Sequence, residues 1–225
     1  MRRLHPVGPN EKFVAQGAYR YYRADAVLGV DERWSIHEVG EGGLLYRVDE
    51  DGREEDGLSI LSEALVSPNG TFERFTVQSF SSRDPDVQLF KADYSFESDQ
   101  VLIGRKLPKQ EREYQEFPLL VDCEVYIKQT VYMGLTIISL LAKAGKSQVF
   151  SPQLLSMTET VVQKLLVEEV GAEAVSVGRK SVAARKFQLA DDVFYWIDAQ
   201  GIPVRREYTH DGASYRVELM NYAHR

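Results

Sequence analysis

Between Lys180 and Tyr222 the chain alternates apolar and polar residues in four short runs separated by three turn signals. Asp211-Gly212 is a dipeptide suited to a two-residue hairpin loop, because both central positions take positive φ. Closing the hairpin there pairs His210 with Ala213, Tyr208 with Tyr215, Arg206 with Val217 and Val204 with Leu219. The opposite face pairs Glu207 with Arg216 and Arg205 with Glu218, each worth about 0.2–1 kcal/mol and together marking a wet face. At the next turn, Ala199, Gln200 and Gly201 form the loop, with Gly201 left-handed. The alternative, with Asp198 in the loop as well, turns Phe194 and Trp196 onto the charged face. The shorter loop gathers the large apolar residues, so Trp196 is expected opposite Val204 and Phe194 opposite Arg206. Asp191-Asp192 then pairs Leu189 with Phe194, Phe187 with Trp196 and Arg185 with Asp198. The expected inner face is Phe187, Leu189, Phe194, Trp196, Val204, Tyr208, Tyr215, Val217 and Leu219, and Arg206 is its misfit.

From Phe13 to Pro118 the pattern is again short strands between turns: Gly17–Ala26, Arg33–Val39, Leu44–Val48, Ile60–Val66, Phe72–Phe80, Val87–Phe96 and Gln100–Ile103. Pro68-Asn69-Gly70 is a strong hairpin signal, although its flanking residues do not sort into two faces in the Asn-Gly register. Lys106–Glu116 reads as a charged connector. The texture changes at Val121–Ala144, where Val121, Val125, Val131, Leu135, Ile138 and Leu141 recur at roughly helical spacing and Gly145 provides a stop. Gly134 and the β-branched residues allow a break there. Met157–Val170 fits a capped helix, with Ser156 to Glu159 as a capping box, or a strand; the strand is favoured because it would extend the following sheet. The expectation is a single α+β domain: a β-rich half over 13–118, a helical segment over 120–145 and a β-meander over 156–222. The sheet would be curved and mostly antiparallel, a half-barrel with the helical segment against its concave face.

Composition narrows the function. A net charge of −7 argues against nucleic acid and anionic membrane as partners. No run of eighteen apolar residues suggests a membrane span, and no apolar stretch follows Arg2-Arg3, so a cytoplasmic location is the expectation. Twelve tyrosines and ten phenylalanines suit strands and half-polar cavities. No metal or other cofactor is implied. His5, His37, His210 and His224 are scattered, and Cys123, the one cysteine, reads as a small apolar residue at a helix start. Gly145-Lys146-Ser147 lacks the upstream glycine of a phosphate loop, since position 140 is Leu.

Several segments then come in a recognisable order: Glu168–Val177 (EEVGAEAVSV), Val182–Phe187 (VAARKF), Phe194–Asp198 (FYWID) through Gly201, and Arg205–Tyr208 (RREY). Over about 118–222 this order resembles the half-barrel of the bacterial lipoprotein-carrier superfamily, and within it the bacterial families whose function is uncharacterised. The resemblance implies a curved sheet enclosing a helix and an apolar cavity, and binding of acyl chains or other hydrophobic molecules. It carries over no catalytic residues.

The reading is a binding protein or carrier for a lipid-like small molecule. Its wall would be Phe187, Phe194, Trp196, Val204, Tyr208, Tyr215 and Val217, with Arg206 on the head group. Two rivals stay open. One is an enzyme using the same cavity, for which only Glu32, His37 and Tyr46 can be nominated. The other is a homodimerising or partner-binding module with a filled core.

Overall fold

The computed structural model describes residues 7–55, 58–81, 87–119, 123–143, 146–152, 160–190 and 192–225. Eight strands come first: β1 Lys12–Arg23, β2 Ala26–Val39, β3 Gly43–Gly52, β4 Leu58–Val66, β5 Phe72–Ser81, β6 Gln88–Phe96, β7 Gln100–Lys106 and β8 Glu113–Pro118. A two-residue β9, Glu124–Val125, leads into helix α1, Thr130–Ala142, and then into β10 Lys146–Pro152 and β11 Thr160–Leu166. The chain ends with β12 Glu168–Val177, β13 Lys180–Ala190, β14 Val193–Ile197, β15 Pro203–His210 and β16 Ala213–His224.

Thirteen of these strands form one antiparallel sheet in the order β12-β13-β14-β15-β16-β1-β2-β3-β4-β5-β6-β7-β8. The last strand of the chain therefore lies beside the first, with Tyr19 opposite Leu219 and Tyr21 opposite Val217. A second sheet, β11-β10-β9, is not hydrogen-bonded into it, and α1 is the one helix among the described residues. The fold is the expected α+β arrangement around a large curved sheet.

The core explains where the helix sits. Alternate residues of β2 to β7, including Trp34, Tyr46, Val48, Ala64, Phe75, Ala92, Tyr94 and Ile103, are buried in one cluster with Val131 and Tyr132 of α1 and with Phe150 of β10. The Tyr132 ring lies 5.9 Å from those of Tyr46 and Phe75, and Phe150 lies 5.9 Å from Phe96. The opposite side of α1, through Met133, Ile137 and Leu140, packs on Phe187, Leu189, Tyr195 and Ile197. Helix α1 is thus gripped between the two ends of the sheet, with one face, through Leu135, Ile138 and Ala142, left partly exposed.

Several expected elements are corrected. The helix begins at Thr130, nine residues later than its apolar spacing suggested, because Val125 is drawn into a parallel pairing with Phe150. Gly134 does not break it. The charged connector contains β8, whose residues are almost all exposed and so carry no apolar alternation to reveal them. Thr160–Leu166 is a strand, but it pairs with β10 rather than extending the C-terminal sheet; residues 153–159, with the proposed capping box, lie outside the described residues.

The C-terminal register is half as expected. Around Asp211-Gly212 (φ +50° and +72°) the pairs His210–Ala213, Tyr208–Tyr215 and Arg206–Val217 all form. At the next turn Gly201 is left-handed (φ +84°), and Asp198 N–H donates to the Ile202 carbonyl, so the three-residue loop is present. A bulge then intervenes. Ile197 still pairs with Pro203, but Trp196 pairs with Arg205, Tyr195 with Arg206 and Phe194 with Glu207. A one-residue slip exchanges the two faces, so Phe194 and Trp196 lie on the charged side and Tyr195 takes the place beside Arg206. A second bulge, between Gln188 and Ala190, sets Phe187 opposite Tyr195 and Lys186 opposite Trp196. Arg185 faces Ile197 and is paired with Glu169 at 2.9 and 2.5 Å, not with Asp198.

Candidate functional site

Helix α1 starts without a side-chain cap of its own. Its first free N–H groups need acceptors, and the sheet supplies one. Glu32 of β2, fully buried, accepts from Thr130 N at 3.3 Å and Val131 N at 3.4 Å. The same carboxylate accepts from the Tyr21 hydroxyl at 2.5 Å. Beside it, Gln129 donates to Glu50 at 3.2 Å and accepts from Ser62 at 2.5 Å, and Ser62 also meets the Tyr132 hydroxyl at 3.0 Å. Burial pushes the Glu32 pKa up, and the hydrogen bonds from Tyr21, Thr130 and Val131 only partly oppose it.

Arg206 stands on the helix-facing side of β15, between Tyr195 on β14 and Val217 on β16. Its guanidinium carbon lies 4.2 Å from the Tyr208 ring centre and 5.4 Å from that of Tyr195. Burial works against its charge, but the phenol oxygens of Tyr195, Tyr208, Tyr126 and Tyr21 outweigh this and hold its pKa above the ordinary arginine value. No carboxylate among the described residues pairs with it, and its Nε is buried without an acceptor. The hydroxyl of Tyr195, a fully buried residue, is also without a partner among the described residues. Two uncommitted donors therefore lie together. Buried donors left unmatched cost free energy on the order of 1–3 kcal/mol each, and an oxyanion would satisfy both.

The other expected wall residues divide. Phe187 is buried against α1 on the side of Arg206. Val204 and Val217 are fully buried in the main cluster, with Trp196. On the charged side, the Lys186 ammonium lies 4.7 Å from the rings of both Phe194 and Trp196, and Trp196 Nε1 donates to Glu173. Tyr208 and Tyr215 stack at 5.0 Å between ring centres. With Phe194, Glu207, Ser214 and Arg216 they line a surface depression of about 270 Å³. The structure thus joins Arg206, Tyr208 and Tyr215, leaves Phe194 at the rim, and removes Trp196 to the far side. Tyr195 is the residue the sequence reading missed, and the correct register alone would have found it. Tyr21 and Tyr126 come from distant segments and carry no local signal.

No family model and no curated protein matches this sequence. The fold has a solved counterpart. It is the crystal structure of a beta-barrel-like protein of domain of unknown function DUF1849 from Brucella abortus, similar at a TM-score of 0.56. The match covers 96% of this chain and 99% of that one at 13% identity, which shows a shared barrel-like fold.

The residues nominated for catalysis do not converge. Tyr46 is buried against Tyr132, and burial pushes its hydroxyl up to about 12. His37 lies on the other side of the sheet beside Glu11, 3.8 Å away, and burial lowers its pKa. Burial likewise raises the Cys123 thiol. Among the described residues no three of His, Cys, Asp and Glu gather as metal ligands, and no helix is long and apolar enough to cross a membrane.

Proposed function

We propose that the protein binds an amphipathic small molecule through an anionic head group held by Arg206. The observation that carries this is the Arg206 guanidinium, half-covered by tyrosines and unmatched by any carboxylate among the described residues. The Tyr195 hydroxyl would be the second donor, and Tyr208 and Tyr215 would flank the first carbons of the ligand. A depression of about 270 Å³ is at the small end for a ligand pocket. Tyr208 and Tyr215 line it but Arg206 does not, so it would take a short apolar segment of the ligand rather than the head group. Each Å² of apolar ligand surface covered contributes about 25 cal/mol. The reading agrees with the carrier families that the C-terminal motifs resemble.

The test compares decanoate with decanol by titration calorimetry on wild type and Arg206→Met. A charge-assisted hydrogen bond is worth about 1.5–3 kcal/mol, so the variant should bind decanoate ~10- to 100-fold more weakly and decanol unchanged. Equal affinities for both ligands in both proteins would sink the proposal. Native mass spectrometry beside the denatured mass should also show a co-purifying small molecule. A second reading draws on the packing of α1, whose Met133, Ile137 and Leu140 fill the space it faces. A clean ligand-free dimer in the same spectrum would favour an interaction module instead.

A further inference from the structure

At the opposite end of the sheet, eight strands away from β15 in the ladder, β7 carries a second arginine on the helix-facing side. Arg105 stands opposite Ala92, a member of the main core cluster, and is only 6% exposed. Its Nε and Nη2 are buried and have no acceptor among the described residues. Glu113, its partner on β8, is exposed and makes no ion pair with it. The neighbouring phenol of Tyr94 is pushed up by burial and pulled back by the charge of Arg105 and a hydrogen bond from its side chain. Two strands away, the Ser79 hydroxyl is also buried and unpartnered, on the same side of the sheet and opposite Phe90.

The atoms left empty decide what would fit. Nε and Nη2 make up the side edge of a guanidinium, whose two parallel N–H bonds match the two oxygens of one carboxylate or phosphate. The same molecule uses this edge elsewhere. Arg53 grips Asp51 by Nε and Nη2 at 2.7 and 2.5 Å, and Arg185 grips Glu169 by the same pair at 2.9 and 2.5 Å. In Arg105 the fork is present, buried and open. A buried guanidinium with no counter-charge is among the more costly features a fold can hold, and its removal in favour of an apolar side chain is often stabilising.

From this fork we infer a second binding centre, for one oxyanion of the carboxylate or phosphate type. Arg105 holds two of the oxygens side-on, with Tyr94 beside it and Ser79 two strands away on the same side of the sheet. The anion can be free, or it can be the head of an apolar molecule lying along Phe90. This centre does not depend on Arg206.

The experiment uses the full chain carrying Arg206→Met, so that the first site is silent. Inorganic phosphate and decanoate are titrated separately, following the Nε–H resonances of arginine by NMR and the thermal midpoint. One Nε–H resonance, absent from the additional Arg105→Lys variant, should move downfield saturably with at least one anion, and the midpoint should rise with it. Response to phosphate would identify a free anion as ligand, and response to decanoate alone an anionic head on an apolar chain. Arg105→Lys keeps the charge but loses the fork, and should bind about tenfold more weakly. Arg105→Met should abolish the response while being at least as stable as its parent without ligand. A saturable response that persists unchanged in Arg105→Met overturns the inference, as does no response to either anion. Should Arg105→Met fail to fold, the resonance shift and the Arg105→Lys comparison decide alone.

Discussion

Gly134 of α1 lies so close to the loop between β14 and β15 that a β-carbon added to it would sit 2.0 Å from the carbonyl oxygen of Gly201. The glycine is in the middle of a helix, where alanine would ordinarily be favoured by about 1 kcal/mol. Here the contact wins, because the opposing atom is backbone and cannot swing away. Gly134→Ala should destabilise the protein by about 2 kcal/mol or more after the propensity gain, since forcing a backbone apart exceeds ordinary overpacking. Urea denaturation measures it. A variant more stable than wild type would mean that the helix does not seat on this loop.

The buried Glu32 gives a signed pH effect. Its folded pKa is raised, so the stability that goes with its protonated form is complete below the unfolded value of 4.5 and is lost as pH rises through the folded value. Glu32→Gln cannot ionise. Relative to wild type, it should therefore gain stability as pH rises from about 4.5 to neutrality and above. Denaturant midpoints at pH 4.5 and pH 8 test this, and a difference that shrinks or stays constant contradicts it.

Glu11 behaves in the opposite sense. Arg47 holds it by a fork at 2.6 and 2.8 Å, and its pKa falls to about 2. Its contribution is therefore present above 4.5 and lost as pH falls towards 2. Arg47 is only 4% exposed, so the pair is little screened. Glu63, 3.4 Å from Arg47 Nε, offsets part of the loss. Glu11→Gln should cost about 1–2 kcal/mol at pH 7 and only a small part of that at pH 2. Equal cost at both pH values, in acid titrations followed by circular dichroism, would rule out an electrostatic role.

The Asp211-Gly212 hairpin was legible to the residue because its turn feeds a straight ladder. The hairpins at 198–202 and 190–193 were not, because a bulge one or two residues beyond each turn undoes the register that the turn sets. Pro68-Asn69-Gly70 shows the same device. Ser67 N–H bonds to the Thr71 carbonyl, Val66 pairs with Phe72, and the ladder then shifts to Leu65–Arg74, which is why its faces could not be sorted. Bulges have little local signature in one sequence. Arg206 was legible as a misfit because its own hairpin has no bulge. Its true neighbour Tyr195 was hidden by one, and Glu32 as the cap of a helix 98 residues away had no local trace at all.

The pairing of β1 with β16 has a consequence for how the protein is made. During synthesis the first strand can find β2 at once, but its other edge stays open until residues 213–224 have left the ribosome. The two ends of the sheet can close around α1 only then, so β1 must wait for a partner at the far end of the fold. Such long-range closure predicts slow folding. It also makes the loss of β16 a cut through the middle of the sheet rather than a trimmed edge.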